Sequence, residues 1–233
     1  MDKDNLSMRH CLSHGWNAYR SNAMKAAVPS VFLFSCGLTK WYWDGFIHGS
    51  LVYKILWMLF GPVLTAGYAF YCLKLVRGDK PTIRDFAAGI LHFGSVWLTT
   101  LIFNIIVSIG LLLFLVPGVI WLLKYGMSMI SVLDKRVSPL EAIRFSGRIT
   151  SGYKWKLLLL HSAILALIPL QLPFYYGLSL RLNWVSLFMV VSLICYLFVV
   201  LVLAPLAGLV LTSAYEKLSK KYEDENRPDV TFE

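Results

Sequence analysis

Residues 112–160, LLFLVPGVIWLLKYGMSMISVLDKRVSPLEAIRFSGRITSGYKWKLLLL, constrain the fold of this chain more than any other stretch. An apolar run is interrupted at Pro117-Gly118, resumes, gives way to a basic amphipathic segment, and then returns. Taken as one helix, residues 95–133 would run about 58 Å at about 1.5 Å per residue, nearly twice the ~30 Å hydrocarbon thickness of a bilayer. Pro117 and Gly118 are therefore expected to form a structural turn between two membrane-crossing helices. The basic segment after them reads as a helix lying on the membrane surface.

The remainder of the chain has the same character. Of its 233 residues 58% are hydrophobic and only 15% charged, against about a quarter charged in soluble domains. The charges avoid long apolar runs, so lipid is the solvent for most of the chain. The expected fold is all-α, a polytopic membrane protein with six transmembrane helices near 25–43, 50–73, 93–115, 118–133, 157–177 and 184–213. The short fourth span needs shelter from its neighbours or local bilayer thinning, and Pro205 is expected to bend the last. The parts read as a cytoplasmic amphipathic lead-in (1–22), a membrane domain (23–216) and a charged tail (217–233).

Three amphipathic segments, near 5–21, 81–91 and 138–151, each precede a pair of spans. This predicts three helix-plus-hairpin units, and Leu12-x12-Lys25 overlays Ile143-x12-Lys156. Two of the segments carry helix-start signals. Thr82 and Asp85 are spaced as a cap with an acid in the first turn, and Ser138-Pro139-Leu140-Glu141 is a capping box with proline at the first helical position. In the latter helix Leu140, Ile143 and Gly147 share one face, while Glu141, Arg144 and Arg148 share another.

Charge sets the expected topology. Eighteen of the 22 Lys and Arg lie in 1–25, 74–84, 134–156 and 217–227, segments that a six-span arrangement puts on one side. Lys40 and Arg181 fall on the other side. By the positive-inside rule both termini and the large loops are cytoplasmic.

Little in the sequence points to chemistry. The four cysteines are scattered without a CxxC pair, and the five histidines are isolated, so neither a disulfide framework nor a metal site is expected. No nucleophile–His set, phosphate loop or HExxH motif occurs. No acidic residue lies inside an expected span, which disfavours proton-coupled transport. The net charge of +9 faces a membrane surface, so anionic lipid headgroups are the expected partner and nucleic acid is not. Arg144, Arg148, Lys154 and Lys156 are the candidate residues for binding lipid or a partner protein. Lys124 is the one charge set well inside an expected span, about six residues from its outer end. Its readings are snorkelling to the interface or a charge lining an internal cavity. Gly61, Ala66 and Ala69, and Ala204-x3-Gly208-x3-Thr212, are expected to let helices approach closely.

The stretches GPVLTAGYAFYCLKLVRGDKPTIRDF, LVPGVIWLLKYGMSMISVLDKRVSPLEAIRFSGRITSGYKWKL and APLAGLVLTSAYEKL resemble a group of bacterial integral membrane proteins of unknown activity. The group includes the YciC-like proteins and the membrane domain fused to some glycerophosphoryl diester phosphodiesterases. The resemblance covers roughly 60–220. It implies a multi-pass protein of the bacterial inner membrane and supplies no catalytic residues. Gly147 stands where an aromatic residue is common in that group and Phe145 where a basic one is, which implies a more loosely held surface helix. The function expected from the whole is non-enzymatic: an accessory or scaffolding protein needing no cofactor, with a second membrane protein or a second copy of itself as further partner candidates. The competing expectation is a transporter or pore, motivated by Pro117, Pro169, Pro173 and Pro205 in the apolar segments.

Overall fold

The computed structural model describes residues 8–46, 51–165 and 187–226. It is 90% helical without strands. The helices are α1 (Met8–Phe46), α2 (Leu51–Arg77), α3 (Ile83–Phe86), α4 (Ala88–Leu91), α5 (Phe93–Leu113), α6 (Leu115–Tyr125), α7 (Ser128–Lys135), α8 (Pro139–Ile149), α9 (Lys154–Leu165), α10 (Leu187–Phe198) and α11 (Ala204–Glu225). A π-helical segment, Val199–Leu203, joins the last two.

Four helical stretches among the described residues are long and apolar enough to cross a membrane: Lys54–Arg77, Phe93–Leu113, Leu115–Lys135 and Val190–Glu225. They coincide with the expected spans at 50–73, 93–115, 118–133 and 184–213. The expected span at 25–43 falls in the second arm of α1, which is helical but not one of the four. Of the expected span at 157–177 only the part up to Leu165 is described. The chain therefore has several membrane-length helices; two expected boundaries move, while the break expected after the lead-in falls at Asn22, where the lead-in differs only in being packed into the core.

The first correction concerns the hairpin. The chain reverses at Phe114, whose backbone is extended (φ −163°, ψ 152°), and not at Pro117-Gly118. Proline is tolerated in the first turn of a helix because the N–H it lacks would have no partner there. Pro117 accordingly sits inside the first turn of α6. Gly118 is a packing residue: a methyl on Gly110 would meet the Gly118 Cα at 2.9 Å, and one on Gly118 would meet the Leu111 nitrogen at 2.7 Å. In an unbroken helix residues 110 and 118 would be about 12 Å apart. The fourth span also gains length, since α6 and α7 together cover Leu115–Lys135 with a break at Gly126-Met127.

The second correction concerns the C-terminus. Residues 217–225 continue α11 as ordered helix, with Leu218 and Ser219 buried on the inner side. They are more than a solvated tail because that side packs into the core. Residues 227–233 lie outside the described part. The third concerns the start, where α1 breaks at Asn22 (φ −136°, ψ 32°). The break separates a lead-in from the arm that follows. The lead-in does not lie alone on a surface: Cys11 is buried in a cluster with Leu73, Leu157, Tyr215 and Leu218.

Two of the expected cap signals form. Ser138 accepts from the Glu141 N–H (3.4 Å) while the Glu141 carboxylate accepts from the Ser138 N–H (3.1 Å). Asp85 accepts from the N–H and hydroxyl of Thr82 (2.8 and 2.9 Å). At Pro205 the expected irregularity takes the form of the π segment directly before it. Proline has no N–H to offer the Leu201 carbonyl four residues back; that carbonyl accepts from the Tyr19 hydroxyl of α1 (3.1 Å). The helix defect thus becomes a tie between α1 and the last long helix.

Candidate functional site

The basic segments of the sequence meet at one end of the helices. Arg77, in the last turn of α2, holds Asp134 of α7 in two hydrogen bonds (Nη1–Oδ1 2.5 Å, Nη2–Oδ2 3.1 Å) and donates to Glu216 of α11 (Nε–Oε2 2.7 Å). The Tyr215 hydroxyl donates to Asp134 Oδ2 at 2.9 Å, and Lys220 pairs with Glu216 at 2.9 Å. Lys135 pairs with Glu223. Asp134 is only 5% exposed, so this cluster is a screened ionic knot between the ends of α2 and α7 and the middle of α11. Taking two carboxylates out of water is costly, and a planar guanidinium that donates to both offsets that cost. The segment near the N-terminus joins the same end, since His14 Nδ1 lies 3.4 Å from the Ser213 hydroxyl.

α8 docks onto this end as an amphipathic helix. Ala142, Ile143, Ser146, Gly147 and Ile149 are buried; Leu140, expected on the same face, is exposed. The hydroxyls of Ser146 and Thr150 donate to the Lys124 carbonyl (2.9 and 3.0 Å), fixing α8 to the last turn of α6. Gly147 leaves room for the Lys124 stem and the Tyr125 ring, the nearest atoms being 3.3 and 3.2 Å from where a methyl would stand. Phe145 stacks edge-on to Tyr222 of α11 at 5.6 Å. The two residues that depart from the resembled pattern are therefore contact residues here, and they seat α8 against its neighbours.

The candidate basic residues separate into two groups. Arg144 and Arg148 line one shallow groove of about 270 Å³ with Lys135 and Glu141. Arg148 also donates to the Tyr222 hydroxyl (3.3 Å). Lys154 and Lys156 open α9 and do not line that groove; the Lys156 ammonium lies 5.7 Å from the Tyr153 ring centre. Lys221 donates to the Tyr153 hydroxyl (2.9 Å), linking α11 to the start of α9. Glu141 is held below its ordinary range by the Ser138 hydroxyl and backbone, so the groove keeps one negative group among its cations.

Lys124 lies within the membrane-length stretch Leu115–Lys135. Because the reversal comes at Phe114, it sits in the last turn of α6 beside α8, with its ammonium 5.2 Å from the Tyr125 ring centre. Its stem lies against the buried side of α8 at Gly147, ten residues beyond the reversal at Phe114.

A second cleft, of about 460 Å³, opens beside the ionic knot between α2, α3–α4 and the end of α7. Lys74 and Asp85 form an ion pair across it at 2.6 Å. Burial works against the Asp85 charge, but the bonds from Lys74 and Thr82 outweigh it and hold the carboxyl below its usual range. Sequence reasoning missed both this cleft and the ionic knot. Arg77 and Asp134 are 57 residues apart and Arg77 and Glu216 139, and no local pattern pairs residues at such separations. No group of three or more His, Cys, Asp or Glu placed to hold a metal occurs among the described residues. No family model, curated protein or solved structure matches this chain.

Proposed function

We propose that this chain is a non-enzymatic accessory or scaffolding protein of the bacterial inner membrane, whose cationic end contacts anionic lipid headgroups and a partner protein. The observation that carries the reading is the meeting of three separate basic segments, those of Arg77, Lys135 and Lys220, at one end of an assembly that has four membrane-length helices. On this reading that end is cytoplasmic, the chain crosses the membrane six times in three helix-plus-hairpin units, and it belongs with the proteins it resembles. Arg144 and Lys154 are exposed and free to meet phosphates, each contributing about 1 kcal/mol near an anionic surface. Replacing Arg144, Arg148, Lys154 and Lys156 by Glu is expected to lower the phosphatidylglycerol that co-purifies with the protein. Unchanged lipid content would overturn the assignment to α8.

A transport function is the second reading, and two backbone irregularities favour it: the break at Gly126-Met127 inside one membrane-length stretch and the π segment at Val199–Leu203 inside another. Interrupted membrane helices tend to border a cavity. Solute flux into liposomes containing the purified chain separates the two readings. On the same reading Lys124→Leu abolishes flux without changing the amount of protein inserted.

A further inference from the structure

The cleft beside the ionic knot has the chemistry of a phosphate site. Three cations, Lys74, Arg84 and Arg136, line it together with His92, and Asp85 is the one acid in its wall. That acid is already committed, since it accepts from Lys74 and from both the N–H and the hydroxyl of Thr82. Arg84 and Arg136 are exposed and make no ion pair with any described residue. Two guanidiniums therefore border one cleft with no internal counter-ion, a geometry suited to a group that presents several oxygens at once.

Two further features point the same way. Arg136 has a left-handed backbone (φ 51°, ψ 38°) at the end of α7, a conformation that glycine or asparagine adopts far more easily. An arginine occupies this position although its backbone geometry favours another residue, and the side chain is what glycine would lose. The cleft is also amphipathic. Phe70 and Leu133 form its floor, and Leu91 on its rim is 62% exposed, next to Ile90 at 48%. A free inorganic ion needs no apolar lip, whereas a lipid phosphate brings acyl chains that would cover one.

We infer that this cleft binds a phosphate ester anion through Arg84 and Arg136, and that the ester is carried on a membrane lipid whose chains lie along Ile90 and Leu91. The inference rests on the membrane reading above but not on α8. His92 is placed to donate a further hydrogen bond, and Lys74 shares its ammonium between Asp85 and the bound anion.

The test uses the full chain in nanodiscs of mixed phosphatidylglycerol and phosphatidylcholine, with retained lipid read by native mass spectrometry. Wild type is expected to retain phosphatidylglycerol in preference to phosphatidylcholine, one molecule of it in the cleft. Arg84→Gln and Arg136→Gly are each expected to lower that retention by roughly fivefold, the effect of about 1 kcal/mol per cation. Arg136→Gly relieves the backbone, so its melting temperature should not fall, which separates lost binding from lost folding. The Glu substitutions on α8 and α9 should lower the total phosphatidylglycerol but leave in place the one lipid that Arg84→Gln or Arg136→Gly removes, so failure of that assignment and failure of this one give different results. Titration with glycerol phosphate identifies the carrier: no displacement at millimolar concentration supports the lipid, and complete displacement supports the phosphate site while overturning the lipid as its source. Retention that is equal for the two lipids, or unaltered in both variants, overturns the site.

Discussion

Arg77 is the residue on which most of the polar end depends. It is 29% exposed, yet the carboxylates it holds are 5% and 11% exposed. Removing one partner of a screened pair costs more than the pair contributes, because the charge left behind is stranded. Arg77→Leu is therefore expected to destabilise the protein by about 3 kcal/mol, measured as thermal unfolding in detergent. Replacing Arg77, Asp134 and Glu216 together by apolar residues of similar size should cost much less. Asp85 gives a pH signature on the same scale. Its carboxyl is held below the ordinary range, so its contribution is present above the unfolded value of about 3.9 and disappears as pH falls through the lower folded value. Asp85→Asn should flatten the loss of melting temperature in that acid window while leaving the profile at higher pH parallel to wild type. The capping box at Ser138 and Glu141 was legible because its two members are three residues apart. The partners of Arg77 were not, because only the fold supplies them.

At the scale of elements, the close approach of α4 to α2 sets the shape of the second cleft. A methyl on Gly67 would overlap the Phe86 carbonyl oxygen, and one on Gly89 would overlap that of Val63. These are backbone atoms that cannot rotate away. Gly67→Ala or Gly89→Ala is expected to cost on the order of 1–3 kcal/mol and to push α3–α4 off α2, which increased proteolysis between residues 78 and 92 would report. Small residues were recognised in the sequence as the means of helix approach, and Gly208 fills that role, its added methyl meeting the Tyr68 ring at 3.0 Å. Gly61 does not, since its nearest neighbour is Trp57 on its own helix. Periodicity finds small residues on a helix but not which of them faces a neighbour. The misplaced hairpin turn has a related cause: Pro-Gly is a turn signal, and proline is equally at home in the first turn of a helix. The choice was made by Phe114, whose extended backbone has no sequence marker.

For the molecule as a whole, the basic segments of Arg77, Lys135 and Lys220 gather at one end, so labels placed on the loops beside them should share one side of the membrane. Gly78 and Gly152 are poor label sites because both have left-handed backbones (φ 81° and 85°), where a side chain is strained. Asp79→Cys and Ser151→Cys avoid this and are exposed. Both are expected to react with a membrane-impermeant thiol reagent from the same side, and reaction from opposite sides would dismantle the arrangement. The alternation of apolar runs with basic segments leads to the expectation that those segments share one side; the contacts of Arg77 bring three of them together. Long apolar runs say where a chain enters lipid; the packing of α8, held by two hydroxyls on one carbonyl, does not follow from them.

The ionic knot also has a consequence for biogenesis. A ribosome delivers Arg77 well before its acids: Asp134 follows 57 residues later and Glu216 139 residues later. Until residue 216 has been made, the guanidinium lacks the second carboxylate it holds in the folded protein. Synthesis of α11 is thereby coupled to closure of the polar end, and a nascent protein stopped after Thr212 would present that end open to quality-control proteases. Pulse–chase labelling should show such a truncated chain turning over several-fold faster than the full-length protein.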